Sequence, residues 1–255
     1  VMFAMDAKRN PLAAMMTLPL VLAAVSYAPV VAADDWKFGL GTGLSSLALD
    51  GDVGFVGESG GVVAEIDLDN GDTADMFESA FGFVGFARKG DWTIGFGYAT
   101  LTLEDDESAF DAEWDRAKAH VEVEYNFATT GNHRWGVLGG VQYTDHEWEL
   151  KNKTTGFKSE PEDDWTDAVV GLTHSVPITE GWTWSNRADY AFGDSEGSVG
   201  AKTSVNWRPL DNWVFSGSIA YYSIEYGDKG DINDSESSYY QVDETAIGLR
   251  FMYTW

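Results

Sequence analysis

The chain has 255 residues, with 42 Asp and Glu against 16 Lys and Arg, a formal charge of −26 at neutral pH, and no cysteine. That balance excludes recognition of a nucleic-acid backbone, which needs clustered Lys and Arg, and the missing cysteine excludes disulfide frameworks and thiolate metal or redox sites. With 11 Trp, 11 Tyr, 14 Phe and 28 Gly against 6 Pro, the composition favours many strands with aromatic borders over a helical bundle.

Lys8 and Arg9 precede the apolar run PLAAMMTLPLVLAAV, and SYAPVVAA follows, with Val31 and Ala33 at the two small-residue positions of a cleavage site. This is the pattern of a secretory signal peptide over residues 1–33, which leaves an exported domain over 34–255. A membrane anchor is the alternative; the run falls short of the roughly 20 apolar residues that a spanning helix needs. Nothing after Asp34 is apolar enough for such a helix.

From there the chain alternates with a period of two. Ala117, Ala119, Val121, Val123, Tyr125 and Phe127 oppose Lys118, His120, Glu122, Glu124 and Asn126. Further on, Trp182, Trp184, Ala188, Tyr190 and Phe192 oppose Thr183, Ser185, Arg187 and Asp189, with Asn186 the one misfit on the apolar side. Val199, Ala201, Thr203, Val205 and Trp207 oppose Lys202, Ser204, Asn206 and Arg208. One face suits lipid and the other water. The same reading predicts spanning strands near 36–49, 75–88, 91–103, 113–127, 134–148, 165–177, 181–193, 197–208, 211–226 and 239–255, each long enough for the ~9–11 tilted residues a membrane strand requires. The segment 75–88 carries phenylalanines at both parities, and 165–177 puts His174 on its apolar side.

The connectors alternate in length. RKGD (88–91), ATTGNHR (128–134), PITEG (177–181) and RPLD (208–211) are short, whereas 50–74, 104–112, 149–164 and 227–238 are longer, GDSEG (193–197) being the brief exception. Short turns on one side and long loops on the other define an antiparallel, all-β, up-and-down transmembrane β-barrel of about ten strands, with twelve or eight as alternatives, short periplasmic turns and longer acidic extracellular loops. Residues 51–68 are expected to fold as an extracellular hairpin, turned at GESGG; a twelve-stranded barrel would use both arms as spans. Trp36, Trp92, Trp135, Trp182, Trp207, Trp213 and Trp255 fall beside the short turns or the termini, where indole rings form an interfacial girdle.

The segments GLTHSVPITEGWTWSNRADYAFGDSEG and VNWRPLDNWVFSGSIAYYSIEY, the hairpin FVGFARKGDWTIGF and the closing IGLRFMYTW together resemble a widespread group of little-characterised proteobacterial outer-membrane β-barrel proteins. The resemblance implies an outer-membrane location and assembly by the barrel-assembly machinery, with Leu249, Phe251, Tyr253 and Trp255 as the C-terminal assembly signal. Arg187 and Asp189 match the Arg-x-Asp pair of that group, whereas Tyr222 stands where its tyrosine-rich strand has an arginine.

Three constellations bear on function. Lys37, Arg116, Lys118, His120, Glu122, Glu124, Arg187, Asp189, Lys202, Arg208 and Arg250 are expected to line the lumen. They form either the charged wall of a small passive channel or a salt-bridged network that fills a narrow barrel. Acidic residues crown the long loops: Asp67, Asp69, Asp72 and Asp75; Glu104, Asp105, Asp106 and Glu107; Glu160, Glu162, Asp163 and Asp164; Asp228, Asp231, Asp234 and Glu236. These suit a solvated surface, or divalent cations bridging to lipopolysaccharide phosphates; DLDNGD lacks the glycine of a calcium-loop motif, so no defined metal site and no cofactor are expected. Finally, His146 beside Asp145 and Glu147, and His174 beside Ser175, raise a hydrolase as a remote alternative, although adjacent strand residues face opposite sides. The reading is thus a porin-like barrel without catalysis, or a non-conducting structural or surface-interaction barrel.

Overall fold

The computed structural model describes residues 36–57, 60–105, 110–227 and 239–255. The predicted leader and the crown residues Asp106, Glu107, Asp228, Asp231, Asp234 and Glu236 lie outside the described residues. Twelve strands form one sheet: β1 (Lys37–Gly57), β2 (Gly60–Leu68), β3 (Phe77–Lys89), β4 (Trp92–Asp105), β5 (Phe110–Thr130), β6 (His133–Asn152), β7 (Lys158–Ser159), β8 (Glu162–Thr179), β9 (Trp182–Gly193), β10 (Gly197–Leu210), β11 (Trp213–Tyr226) and β12 (Tyr239–Thr254). Ten of them make a closed antiparallel ring in the order β1-β3-β4-β5-β6-β8-β9-β10-β11-β12, and β12 returns to β1 over Gly39–Thr254 to Gly54–Tyr239. All ten predicted spans are ring strands. The two arms of 51–68 are the upper part of β1 and all of β2, paired from Leu49–Leu68 to Gly57–Gly60, with β2 outside the ring as the hairpin reading requires.

Four two-residue turns close one end. Gly90, Gly131 and Gly181 take positive φ (58°, 60° and 77°), the left-handed conformation that tight hairpins demand and glycine supplies without a Cβ penalty. At the fourth turn Asn212 is tied to the terminal strand instead, its carbonyl accepting from Thr254 N and its amide donating to Thr254 O (2.7 and 2.6 Å).

Outside, the wall is an apolar belt. Val121, Val123, Tyr125 and Phe127 on β5, Val137 and Val141 on β6, Val170 and Leu172 on β8, and Ile247 and Leu249 on β12 are all exposed, Leu249 by 72%. Trp92, Trp135, Trp182, Trp207 and Trp255 border the belt at the short-turn end, where Trp182 stacks on Trp207 (5.6 Å) and Trp92 packs on Tyr125 (4.6 Å). A second border, not anticipated from the sequence, consists of exposed Tyr98, Tyr143, Tyr190 and Tyr221. Trp135 to Tyr143 is eight residues, about 27 Å along a strand and roughly 20 Å along the normal at usual barrel tilts, close to the ~25 Å apolar band of membrane barrels. Beyond the tyrosines the outward positions turn acidic: Asp115, Asp145, Glu147, Asp164 and Asp243.

A register shift between Phe77 and Ser79 sets Phe77 opposite inward Leu103, and beyond it the phenylalanines of 75–88 sort by alternation. Phe81 then points outward, while Phe86, in register with Gly39 and Gly95, turns inward over Gly39. A Cβ at Gly39 would stand 2.3 Å from the Phe86 ring.

The ring is uneven at one seam. β1 pairs with β3 over six residues only, Lys37–Arg88 to Thr42–Phe83, whereas each other ring ladder has ten pairs or more. Above Thr42 the space beside β1 is taken by a short helix, α1 (Asn70–Asp75), capped by Asp69, whose carboxylate accepts from Gly71 N and Asp72 N. Ser46 Oγ donates to Asn70 Oδ1 (2.8 Å) and Thr73 Oγ1 to the Leu47 carbonyl. Asp69 and Asp72 of the expected crown are thus helix-capping groups.

Inward glycines set the fit between strands. A Cβ at Gly140 would lie 2.4 Å from the Val121 carbonyl, a backbone atom that has nowhere to go, whereas at outward Gly139 the nearest atom is 3.9 Å away. Gly140→Ala is therefore expected to destabilise the barrel by about 1–3 kcal/mol and Gly139→Ala by less than about 0.5 kcal/mol, measured as the temperature at which the folded band on cold-loaded SDS gels is lost.

Candidate functional site in the barrel lumen

The inward positions divide into three levels. Nearest the long loops the lumen is packed with large side chains. Leu49, Leu103, Trp114, Trp165, Tyr240 and Val242, from β1, β4, β5, β8 and β12, form one buried cluster, each at most 3% exposed. His146 lies at its centre with Trp114, Trp165 and Tyr240 around it at 5.3, 4.8 and 4.9 Å, all edge-on or T-shaped. Trp148 stacks on Trp114 and Tyr226 on Trp165. Asp105, expected in the solvated crown, is buried at this level instead, because odd positions of β4 face inward.

Beneath this layer the charges are paired. Arg116 makes a two-pronged contact with Glu244 (2.8 and 3.0 Å), the pair joining β5 to β12 across the lumen. Tyr240 OH donates to the same carboxylate (2.9 Å), and Lys118 Nζ stands 4.0 Å from it. Arg187 bridges Glu122 and Asp189, both at 2.6 Å. Asp167, fully buried, accepts from Ser195 N and Oγ (3.1 and 2.9 Å), which pins the short 193–197 connector into the barrel. His120 lies over Gly97, where an added Cβ would come within 2.5 Å of its ring. At this level glycine on one strand faces a large side chain on its neighbour, as the narrow interior of a small barrel requires.

The third level, toward the short turns, holds Lys37, Glu124, Lys202, Arg208 and Arg250 of the predicted set, joined by Arg88 and Arg134, which sequence reasoning did not single out. Their signal was present: each is an even-numbered residue on the inward parity of β3 or β6. Register puts Arg250 beside Ser216 and Gly43, and the inward row Ser185, Asn206, Ser216 is linked by Asn206 Nδ2 to Ser185 Oγ (3.0 Å) and Ser216 Oγ to Asn206 Oδ1 (2.7 Å).

Leu249, Phe251 and Tyr253 face outward on β12 and Trp255 stacks between Phe38 and Tyr253.

Neither candidate catalytic pair assembles. His146 turns into the aromatic cluster while Asp145 and Glu147 point to the outside, and its Nε2 has no hydrogen-bond partner. His174 faces the belt and Ser175 the lumen. On the belt His174 belongs to a hydrogen-bonded chain: Trp184 Nε1 donates to Thr203 Oγ1 (2.7 Å), Thr203 Oγ1 to Asn186 Oδ1 (2.9 Å), and Asn186 Nδ2 lies 3.2 Å from His174 Nδ1, whose Nε2 is 2.9 Å from His133 Nδ1. Asn186, the misfit of the apolar face, thereby meets the lipid level with its polar atoms partnered. Among the described residues no group of three or more His, Asp or Glu is arranged to hold a metal ion. At the rim, Lys158 links Glu149 and Glu160 (3.0 and 2.7 Å), hydrogen bonds that hold its ammonium above the usual lysine range.

No family model and no curated protein matches the chain. Among solved structures it is similar to the translocator domain of the autotransporter NalP from Neisseria meningitidis (12% identity, 91% of this chain and 92% of that one, TM-score 0.46), the outer-membrane protease OmpT from Escherichia coli (10%, 87% and 97%, 0.42) and the attachment invasion locus protein Ail of Yersinia pestis (13%, 86% and 97%, 0.36). Likenesses of this extent carry no information about role. The closed ring, the apolar belt and its two aromatic borders define the class by themselves: a ten-stranded β-barrel of the membrane-spanning kind.

Arg116 and Glu244 are 8% and 3% exposed, so removing one partner strands a buried charge. Arg116→Ala is expected to cost on the order of 3–5 kcal/mol, and pairing Arg116→Leu with Glu244→Leu to recover most of it, read by urea unfolding in detergent micelles.

Proposed function

We propose that the chain is an integral outer-membrane β-barrel, exported through a cleaved leader, whose lumen does not conduct and whose work is done at its long-loop surface. The observation that supports this most directly is the aromatic and aliphatic layer at the long-loop end, where six large side chains from five strands are at most 3% exposed. A hydrated ion crossing that level would have to displace Trp165 or Trp114 from stacked partners, and no charged ring waits there to replace its water.

The collar above the tyrosines favours a partner class for that surface. Asp145 is in register with Asp164 and Glu147 with Glu162, like charges directly opposite on neighbouring strands, a destabilising arrangement on its own. It lies where lipopolysaccharide phosphates would sit, and divalent cations shared between carboxylate and phosphate would relieve it. Stripping divalent cations with EDTA is expected to lower the melting temperature of protein reconstituted in lipopolysaccharide, and to lower it less in a variant carrying Asp145→Asn and Asp164→Asn; equal sensitivity of both would remove the cations from the account.

Planar bilayers test the central reading. Purified wild-type protein is expected to give no unitary conductance across many insertions, while Trp114→Ala with Trp165→Ala opens discrete steps. Reproducible steps from the wild type would establish the small passive channel instead.

A further inference from the structure

Charges inside the barrel are sorted along its axis. Toward the long loops each cation has a carboxylate: Arg116 has Glu244, and Arg187 has Glu122 and Asp189. Toward the short turns the pairing stops. Lys37, Arg88, Arg134, Lys202, Arg208 and Arg250 face the lumen or its mouth at and below the level of Arg187. Among the described residues only Arg134 has an ion-pair partner there, Asp91 at 3.8 Å, and Asp91 is itself on an exposed turn. Glu124 is the one unpaired carboxylate that faces inward among them.

These groups converge rather than diverge. Arg88 on β3 is directly opposite Lys37 on β1, its Nε donates to Thr93 Oγ1 (3.0 Å), and Arg134 on β6, Glu124 on β5 and Arg208 on β10 are within its electrostatic reach. The strands β3, β6 and β10 are not adjacent in the ring, so the side chains approach one another across the mouth. Higher up, Lys202 is in register with Arg187, and the charges that act on it are Arg250 as well as Arg187 with its carboxylates Glu122 and Asp189. Arg250 is half-buried, with the Ser185, Asn206 and Ser216 row on one side and the bare backbone of Gly43 on the other.

In a chain of charge −26, a concentration of cations that outnumber the carboxylates among them is not a by-product of composition. Like charges gathered in a partly dehydrated recess cost free energy unless a counter-ion joins them. Guanidinium forks flanked by hydroxyl and amide groups match the geometry of an oxyanion. We propose that the short-turn end of the lumen is a binding cup for a phosphate-type oxyanion, with Arg250 and Lys202 at its floor and Arg88, Arg134 and Arg208 around its mouth. The packed layer closes the other end, so the anion enters and leaves by one opening. A soluble phosphate or phosphate monoester and a lipid headgroup share this chemistry; the opening lies along the barrel axis rather than through the lipid-facing wall, which selects the soluble form.

The test is isothermal titration of the full chain in detergent with inorganic phosphate, against sodium chloride at equal ionic strength. Saturable binding of phosphate alone is expected. Arg250→Gln combined with Lys202→Gln weakens it by about tenfold or more, the loss of charge-assisted contacts, and Glu124→Gln strengthens it by removing the inward carboxylate. Heat-modifiable migration on gels establishes that each variant is folded. Equal responses to phosphate and chloride, or undiminished phosphate binding by the double glutamine variant, overturn the cup. So does a response confined to bilayers containing phosphatidylglycerol and absent with free phosphate. Conductance plays no part in this test, so its failure leaves the sealed lumen standing, and a conducting barrel leaves the cup standing.

Discussion

Every backbone amide and carbonyl that meets hydrocarbon must be bonded within the protein, because lipid offers no partner and each orphan group costs several kcal/mol (about 4–8 in an alkane-like medium). A sheet satisfies that condition only by closing on itself. In this chain closure is the ladder between the first and last ring strands, Gly39–Thr254 through Gly54–Tyr239. The apolar belt, the aromatic borders and the inward turn of the charges are consequences: once the ring is shut, each strand has one face in lipid and one in the lumen.

A ten-stranded ring leaves little room inside, and the interior is reconciled with that limit by pairing absence with bulk. Gly39 receives Phe86, Gly95 receives Glu122, Gly97 receives His120, and Gly200 receives Asp189 and Tyr222. The same narrowness separates chemistry along the axis. Large rings occupy the long-loop third, a compact set of ion pairs the middle, and cations with few counter-charges the short-turn third. Charge that would repel itself in the open is held in place by walls too stiff to let it relax outward.

The period of two made the ring legible. Ten spans, their outward and inward faces and the lower tryptophan border followed from alternation and connector length, because a two-sided wall writes itself directly into the residue order. Less was legible where structure depends on distance through space. The sequence placed His146 near the rim, but its burial follows from Trp114, Trp165 and Tyr240, which come from three separate strands. Asp105 was counted with the crown because it sits in an acidic run, although strand parity turns it inward. The helix at 70–75 carries the mark of a capping box, Asp69 with Asp72 three residues on, inside an acidic run whose composition reads as solvated surface. Whether the lumen is open or filled was not decidable from alternation, since a glycine beside a phenylalanine reads the same in either case.

The short ladder between the first and third strands gives the cylinder a preferred line of rupture. Six pairs hold it where other neighbours share ten to twenty, and above them a six-residue helix stands in for backbone bonding. A wall of uniform strength would come apart anywhere, whereas this one is scored like perforated paper. The closing hairpin of the chain, β11 and β12, is firmly stitched to β1 on the other side. Mechanical or thermal stress would therefore peel the protein open beside its first strand, with the ends of the chain still fastened together.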